Sequence, residues 1–518
     1  MALRLPKLSA QGQSEFRNEL ICFIDPKYIN LDRTLVNLYP LLRHSGTKPR
    51  GRSMPPDFLY DVTKLEGRLR EVETAGQATG ISEHAKAVQG WLRTNLMDMV
   101  SRGKTQDEKF TALKPIHLLS YLLRNQRQNR DYLSSDQVYS LLSADPSVRE
   151  LLKKYLNEGW DETMKRISDS SQLNVDTVGL LRLIESPYKQ DHPGNDRPIF
   201  NYVRPLLSEE AKLFCDDVRH LLAYKKEVPR HVLLDYLKTL TGFHLSLYLL
   251  KLVRHVPTYV QEGVMPTARS LDIVVDMTDD PSSVSGQIAA DDAARLYDSL
   301  PDYIRSVFSV NLALSSLRID RTDSDNLTKA VAITSQPTLD FQAYCRSRLN
   351  DVDVPEGSED VFNRLIEYED DDVGRFLSVV MHVRGLFYNR YHTDMLDSIM
   401  QRNAESGLLA APRTRKARRR FVLGTRLLEM LAQLSVLDDN YKSRPVAIED
   451  FTAWLYNRYG LIINGLEHER YANSDIRTHL GFGQNVEALK DKLRRIGFYT
   501  QLSDAYLLQK IRPRYELR

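Results

Sequence analysis

Cysteine is scarce in this chain. Three occur in 518 residues, Cys22, Cys215 and Cys345, far apart and never in CxxC spacing. That excludes a disulfide framework and a cysteine-built zinc site. Each lies beside an apolar neighbour (Ile21, Phe214, Tyr344), so buried packing in a reducing compartment is the expectation. Long apolar runs are also missing. The most apolar stretch, Leu245–Val253, is interrupted by Lys251 and falls far short of the ~20 residues of a membrane helix. Met1–Ala10 carries Arg4 and Lys7 but no apolar core of a signal peptide, so the reading is a cytoplasmic protein without a membrane partner. Net charge is nearly absent, at +2, which excludes a global polyanion attraction and leaves only local asymmetry to hold nucleic acid. Catalytic signatures are absent too. There is no GxxxxGK[ST] (Gly46-Thr47-Lys48 sits in a Pro-rich loop), no GxSxG, no HExxH and no zinc-deaminase pattern. The twelve histidines do not cluster. His244 and His255 lie eleven apart, where a helical metal pair needs four. No cofactor is implied.

What is present is ordinary soluble-protein composition, 42% hydrophobic and 27% charged, over a length that suggests about three domains. The expected fold class is mainly α, a multi-domain helical body with a C-terminal winged helix-turn-helix. Residues 1–60 read as irregular, with a basic loop from His44 to Pro56. Residues 61–255 read as a helical domain. Leu118–Leu123 and Leu151–Leu156 each present a broad apolar face, the second after Pro146, a good first-turn residue. The strongest helix, about Arg230 to His255, is apolar almost all round and therefore buried. Residues 256–345 form a mixed or linker-rich region in which Leu271–Met277 alternates like a strand. For Val310–Arg318 and Leu327–Ile333 periodicity does not decide between strand and helix. Residues 346–440 return to helix and contain the acidic cluster Glu367–Asp372, the basic run 413–420 and an amphipathic helix Phe421–Leu437.

The last domain, 441–518, is the most informative. A helix over Ile448–Tyr459 is followed by a short one, Asn473–Leu480, a tight turn at Gly481-Phe482-Gly483, and a third helix from Asn485 to Ile496 stopped by Gly497. Two strand-like runs, Phe498–Leu502 and Tyr506–Ile511, then meet at Ser503-Asp504. That order places a helix and a wing against a duplex. From 490 to 518 eight basic residues face three acidic ones. Lys490, Arg494, Arg495, Lys510, Arg512 and Arg514 are the expected phosphate contacts, and the amides of Gln484 and Asn485 are the nearest to bases. Glu487 and Asp491 on the same helix oppose this, and docking onto protein is the competing use. The run Arg413, Arg415, Lys416, Arg418, Arg419, Arg420 repels itself without counterions. It reads as a phosphate clamp, as a docking strip for an acidic surface such as Glu367–Asp372, or as a solvated linker.

One carboxylate group suggests chemistry. Asp276, Asp279 and Asp280 end a strand, where such residues hold divalent metal, with Asp291 and Asp292 nearby. Turn and cap chemistry explains the same pattern.

The run from Asn485 to Ala505, at the end of a long helical body without catalytic motifs, resembles accessory subunits of bacterial phage-defence operons, those of methylation-associated defence and of phosphorothioation-dependent restriction systems. The resemblance implies a non-catalytic role beside an ATPase, methyltransferase or nuclease encoded elsewhere, with self/non-self discrimination on DNA by the complex. The resulting expectation is a non-enzymatic subunit that contacts double-stranded DNA and other proteins of a restriction-like antiviral system. The alternatives are a metal-dependent nuclease using Asp276, Asp279 and Asp280, and a scaffold whose winged helix binds protein.

Overall fold

The computed structural model describes residues 3–5, 15–47, 61–101, 108–125, 128–168, 170–171, 173–188, 204–266, 270–321, 323–401, 404, 406–410, 417–466, 468–499 and 510–518. It is mainly helical with a few short strands. The chain forms two compact units. One comprises Met1–Tyr28, Val203–Glu210 and Thr239–Arg518, and the other Ile29–Tyr202 and Ala211–Lys238.

The second unit contains the first long helix, Leu31–Arg43, within the stretch expected to be irregular. Asn30 caps it by accepting from the Arg33 N–H, and Leu31, Leu35, Val36, Leu38, Leu41 and Leu42 give it a broad buried face. Pro40 is tolerated in its last turn. The helix expected at Pro146 runs from Pro146 to Leu156, with the Asp145 carboxylate capping the N–H groups of Ser147 and Val148. The unit is not purely helical. Met97–Ser101 pairs antiparallel with Glu108–Leu113. The inner residues of this pair join Leu65, Leu92, Leu180 and Ile184 in one core.

The larger unit takes the end of the long helix Arg230–Glu262, whose apolar circumference keeps residues such as Leu240, Phe243, Leu249 and Leu252 buried. The ambiguous stretches resolve as helix, Leu300–Leu317 and Ser324–Ser335. Within Leu271–Met277, whose pattern suggests a strand, Ile273–Val274 is the strand, and Ile273–Met277 is buried throughout rather than alternating. Ile273–Val274 pairs in parallel with Leu461–Ile462. On its other side Asp276 forms a parallel bridge to Val422, next to the antiparallel pair Leu409–Ala410 and Arg420–Phe421. Parallel pairing with both faces covered buries successive residues, which explains the lost alternation, and the one charged residue of this buried run, Asp276, is paired with Arg420. The helix expected over Phe421–Leu437 is shorter, Thr425–Ser435, because Arg420 and Phe421 are in that strand. All three cysteines are buried, and burial pushes each thiol up to about 12. Among the described residues no helix is long and apolar enough to cross a membrane.

Candidate nucleic-acid interface

The C-terminal region departs from the expected pair of helices joined by a glycine turn. A single helix, Ile476–Arg495, runs through Gly481 and Gly483 without interruption, capped by the Asp475 carboxylate on the Thr478 N–H at 2.8 Å. Gly481 does not make a turn. It permits a close approach, since a Cβ there would stand 2.6 Å from the Val284 Cβ of the helix Val284–Asp298. Phe482 beside it is buried with Val274, Ala289, Ile462 and Tyr471, its ring 4.8 Å from that of Tyr471.

Asn485, expected near the bases, is fully buried. Its Oδ1 accepts from the Met277 N–H at 2.7 Å. Its Nδ2 donates to the carbonyls of Val275 at 2.9 Å and Ile463 at 3.0 Å. One side-chain amide thus satisfies backbone groups of both parallel strands, and Asn485 is a structural clamp. Gln484, one step round the helix, is exposed.

The helix ends as expected at Gly497, whose φ of 81° supplies the left-handed residue that stops it. The Phe498 N–H returns to the Leu493 carbonyl at 3.0 Å, closing the turn. Tyr499 then bridges Ile511, and Lys510–Ile511 pairs antiparallel with Val446–Ala447. The expected hairpin tip at Ser503-Asp504 lies outside the described residues, as do Arg413, Arg415 and Lys416 of the basic run.

The expected cations fall into two groups. Arg495, Lys510 and Arg512 are exposed near the end of the helix and the strand that follows. The others are tied to their own chain. Lys490 pairs with Glu487 at 2.8 Å and Arg494 with Asp491 at 2.5 Å, both i,i+3 pairs along the helix. Arg514 pairs with Glu429, donates to the Ile496 carbonyl at 2.6 Å and lies 4.8 Å from the Phe498 ring centroid.

The described part of the basic run is neutralised one residue at a time. Arg418 meets Asp291 at 2.6 Å, with both side chains exposed. Arg419 forks onto Asp397, with Nε 2.9 Å and Nη2 2.6 Å from its oxygens, and lies 4.7 Å from the Tyr297 ring centroid. The Asp397 carboxylate raises the Arg419 guanidinium above its ordinary range. Arg420 is buried, its Nε 2.9 Å from the fully buried Asp276 Oδ2. The expected acidic partner, Glu367–Asp372, is engaged otherwise. Asp372 pairs with Arg346 and Arg375, and Glu369 with Arg305.

The carboxylates proposed for metal are likewise committed. Asp276 Oδ1 accepts from the Thr278 N–H at 2.9 Å and from its hydroxyl at 2.6 Å. Asp279 meets Lys492 at 3.1 Å. Asp280 accepts from the Ser282 N–H and hydroxyl in a local turn, and the hydroxyl contact leads the causes that lower its carboxyl below the usual range. Among the described residues no three His, Cys, Asp or Glu side chains are arranged to hold a metal. The turn contacts of Asp276 with Thr278 and of Asp280 with Ser282 fit the local turn chemistry, whereas the ion pairs were not legible locally, since Asp276 and Arg420 stand 144 residues apart.

A family model described as methylation-associated defense system protein MAD7 matches residues 11–515. No curated protein matches the chain.

Proposed function

The chain belongs to the MAD7 family of methylation-associated defense system proteins, and from that premise we propose that it is a non-enzymatic subunit that meets duplex DNA through its C-terminal region and other proteins of the system through its helical body. The observation that carries the DNA reading is the exposed trio Arg495, Lys510 and Arg512, at the end of a helix, on the strand Lys510–Ile511 and just after it. The order supports it in part: helix Thr425–Ser435, strand Val446–Ala447, helix Ile448–Tyr459, strand Leu461–Ile462, a short turn of helix at Glu469–Tyr471, helix Ile476–Arg495, then paired extended segments at Tyr499 and Lys510–Ile511. Helices followed by a small antiparallel ribbon are the parts from which winged helices are built. The carboxylates Asp276, Asp279 and Asp280 serve the fold in this reading.

The test is duplex binding by the full-length protein across a salt series, beside Arg495→Glu/Lys510→Glu/Arg512→Glu. Loss of three phosphate contacts flattens the slope of log K against log salt by about 0.9 per contact. An unchanged slope in the triple variant ends the DNA role of this surface.

A second reading rests on Ile476 and Leu480, 78% and 65% exposed and one helical turn apart. They suit docking on protein. In that case duplex affinity is absent even at low salt, and Ile476→Ser/Leu480→Ser releases a neighbour from the same operon in co-purification.

A further inference from the structure

A cleft of about 400 Å³ opens beside the parallel strands of the larger unit. Segments distant in the chain converge on it. Arg254 comes from the long helix, Asp272 from the entry to the Ile273–Val274 strand, Asp292 and Arg295 from the helix Val284–Asp298, and His468 and Arg470 from the short turn around Glu469–Tyr471.

Its interior carboxylate is saturated. Asp292, 2% exposed, accepts from the Val274 N–H at 2.8 Å, from Arg470 at 2.6 Å and 3.1 Å, and from Arg295. Arg470 also donates to the Asp272 carbonyl at 3.0 Å, and Arg254 donates to the Leu271 carbonyl. The Ser270 hydroxyl holds the Asp272 carboxylate at 2.6 Å, and His468 Nε2 stands 3.9 Å from the same carboxylate. Three guanidinium charges therefore face two carboxylates, leaving one net positive charge. Three guanidinium groups carry about fifteen N–H donors. Among the described residues five hydrogen bonds from these arginines go to the protein's own oxygens.

We propose that this cleft binds a small phosphorylated ligand of nucleoside-monophosphate size, with Arg254, Arg295 and Arg470 as donors to its phosphoryl oxygens. Guanidinium groups match phosphate oxygens with paired, charge-assisted bonds, which selects the ligand class. The volume falls within the ordinary range of small-molecule sites, so more than a bare phosphate fits. Asp292, fixed by the backbone and by two arginines, positions Arg295 and Arg470. The site is independent of the DNA reading, since none of the DNA-contact candidates lines it.

The test is isothermal titration of the full-length protein with inorganic phosphate, AMP and adenosine, repeated on Arg295→Gln and Arg254→Gln. The Arg295 side chain is 63% exposed, so its replacement leaves the fold standing, and circular dichroism checks this. The expected result is that AMP binds more tightly than phosphate, adenosine does not bind, and each variant weakens AMP at least tenfold. Absence of AMP binding, adenosine binding as well as AMP, or unchanged affinity in Arg295→Gln overturns the proposal. Displacement of AMP by a short duplex lacking a terminal phosphate also overturns it, because the cleft would then belong to a DNA surface.

Discussion

Asp276 has no exposed surface, yet it carries a carboxylate held by Thr278, by the Ser285 hydroxyl at 3.3 Å and by Arg420. Removing one partner of such a pair leaves a buried charge uncompensated, at a cost of about 3–5 kcal/mol. Arg420→Met is therefore expected to lower the denaturation midpoint sharply. Adding Asp276→Asn recovers part of the loss, because the amide needs no counterion. A single variant as stable as the parent would show that the pair has no structural weight. His392 gives a prediction in pH. Burial outweighs its hydrogen bond to the Tyr388 carbonyl, 2.8 Å away, and pulls its imidazole down to about 4. The unfolded chain takes up that proton near pH 6.5 and the folded chain does not. The contribution is thus complete above about 6.5 and is lost as pH falls toward about 4, roughly 3 kcal/mol in all. Urea midpoints measured from pH 7 to 5, above the carboxylate range, should fall less steeply in His392→Phe than in the parent. Parallel curves would contradict the assignment.

The helix Ile476–Arg495 is the element on which the C-terminal reading turns. A continuous helix and a glycine turn predict opposite effects of alanine. Gly483 has helical backbone with nothing within 4 Å of an added Cβ, so Gly483→Ala should stabilise by up to about 1 kcal/mol through helix propensity. Gly481→Ala, facing Val284, should destabilise by roughly 1–3 kcal/mol through overpacking. Thermal midpoints moving in opposite directions would support the continuous helix. Destabilisation by Gly483→Ala would restore the turn. The expectation of two helices had a physical basis, since two glycines within three residues usually break a helix. Here the need for close contact with a neighbouring helix outweighs their local cost.

In the larger unit the C-terminal segment is not an appendage. The Leu461–Ile462 strand completes the parallel pair, Asn485 clamps Val275 and Ile463, and Gln433 exchanges hydrogen bonds with the backbone of Arg514 and Tyr515. A chain ending at Asn440 would lose all three, and proteolysis should degrade such a truncation far faster than the full-length protein. Resistance equal to the parent would argue for an independent C-terminal domain. Charge reversal at Arg495, Lys510 and Arg512 is for this reason the cleaner test of DNA binding, with salt dependence as its readout.

Local chemistry was enough to determine the helical class, the helix start at Pro146, the stop at Gly497, the burial of the cysteines and the likeness to a defence-system family, but not the helix Leu31–Arg43, which lies in a stretch that read as irregular. Each depends on neighbours within a turn or two, or on composition. Tertiary structure alone decided which charges face solvent. Arg418, Arg419 and Arg420 read as one cationic strip, but their partners Asp291, Asp397 and Asp276 lie elsewhere in the chain. Asn485 and the arginines of the cleft show the same thing. A polar side chain looks alike in sequence whether it meets water, a ligand or a buried carbonyl, and only the packing of distant segments settles which one it meets.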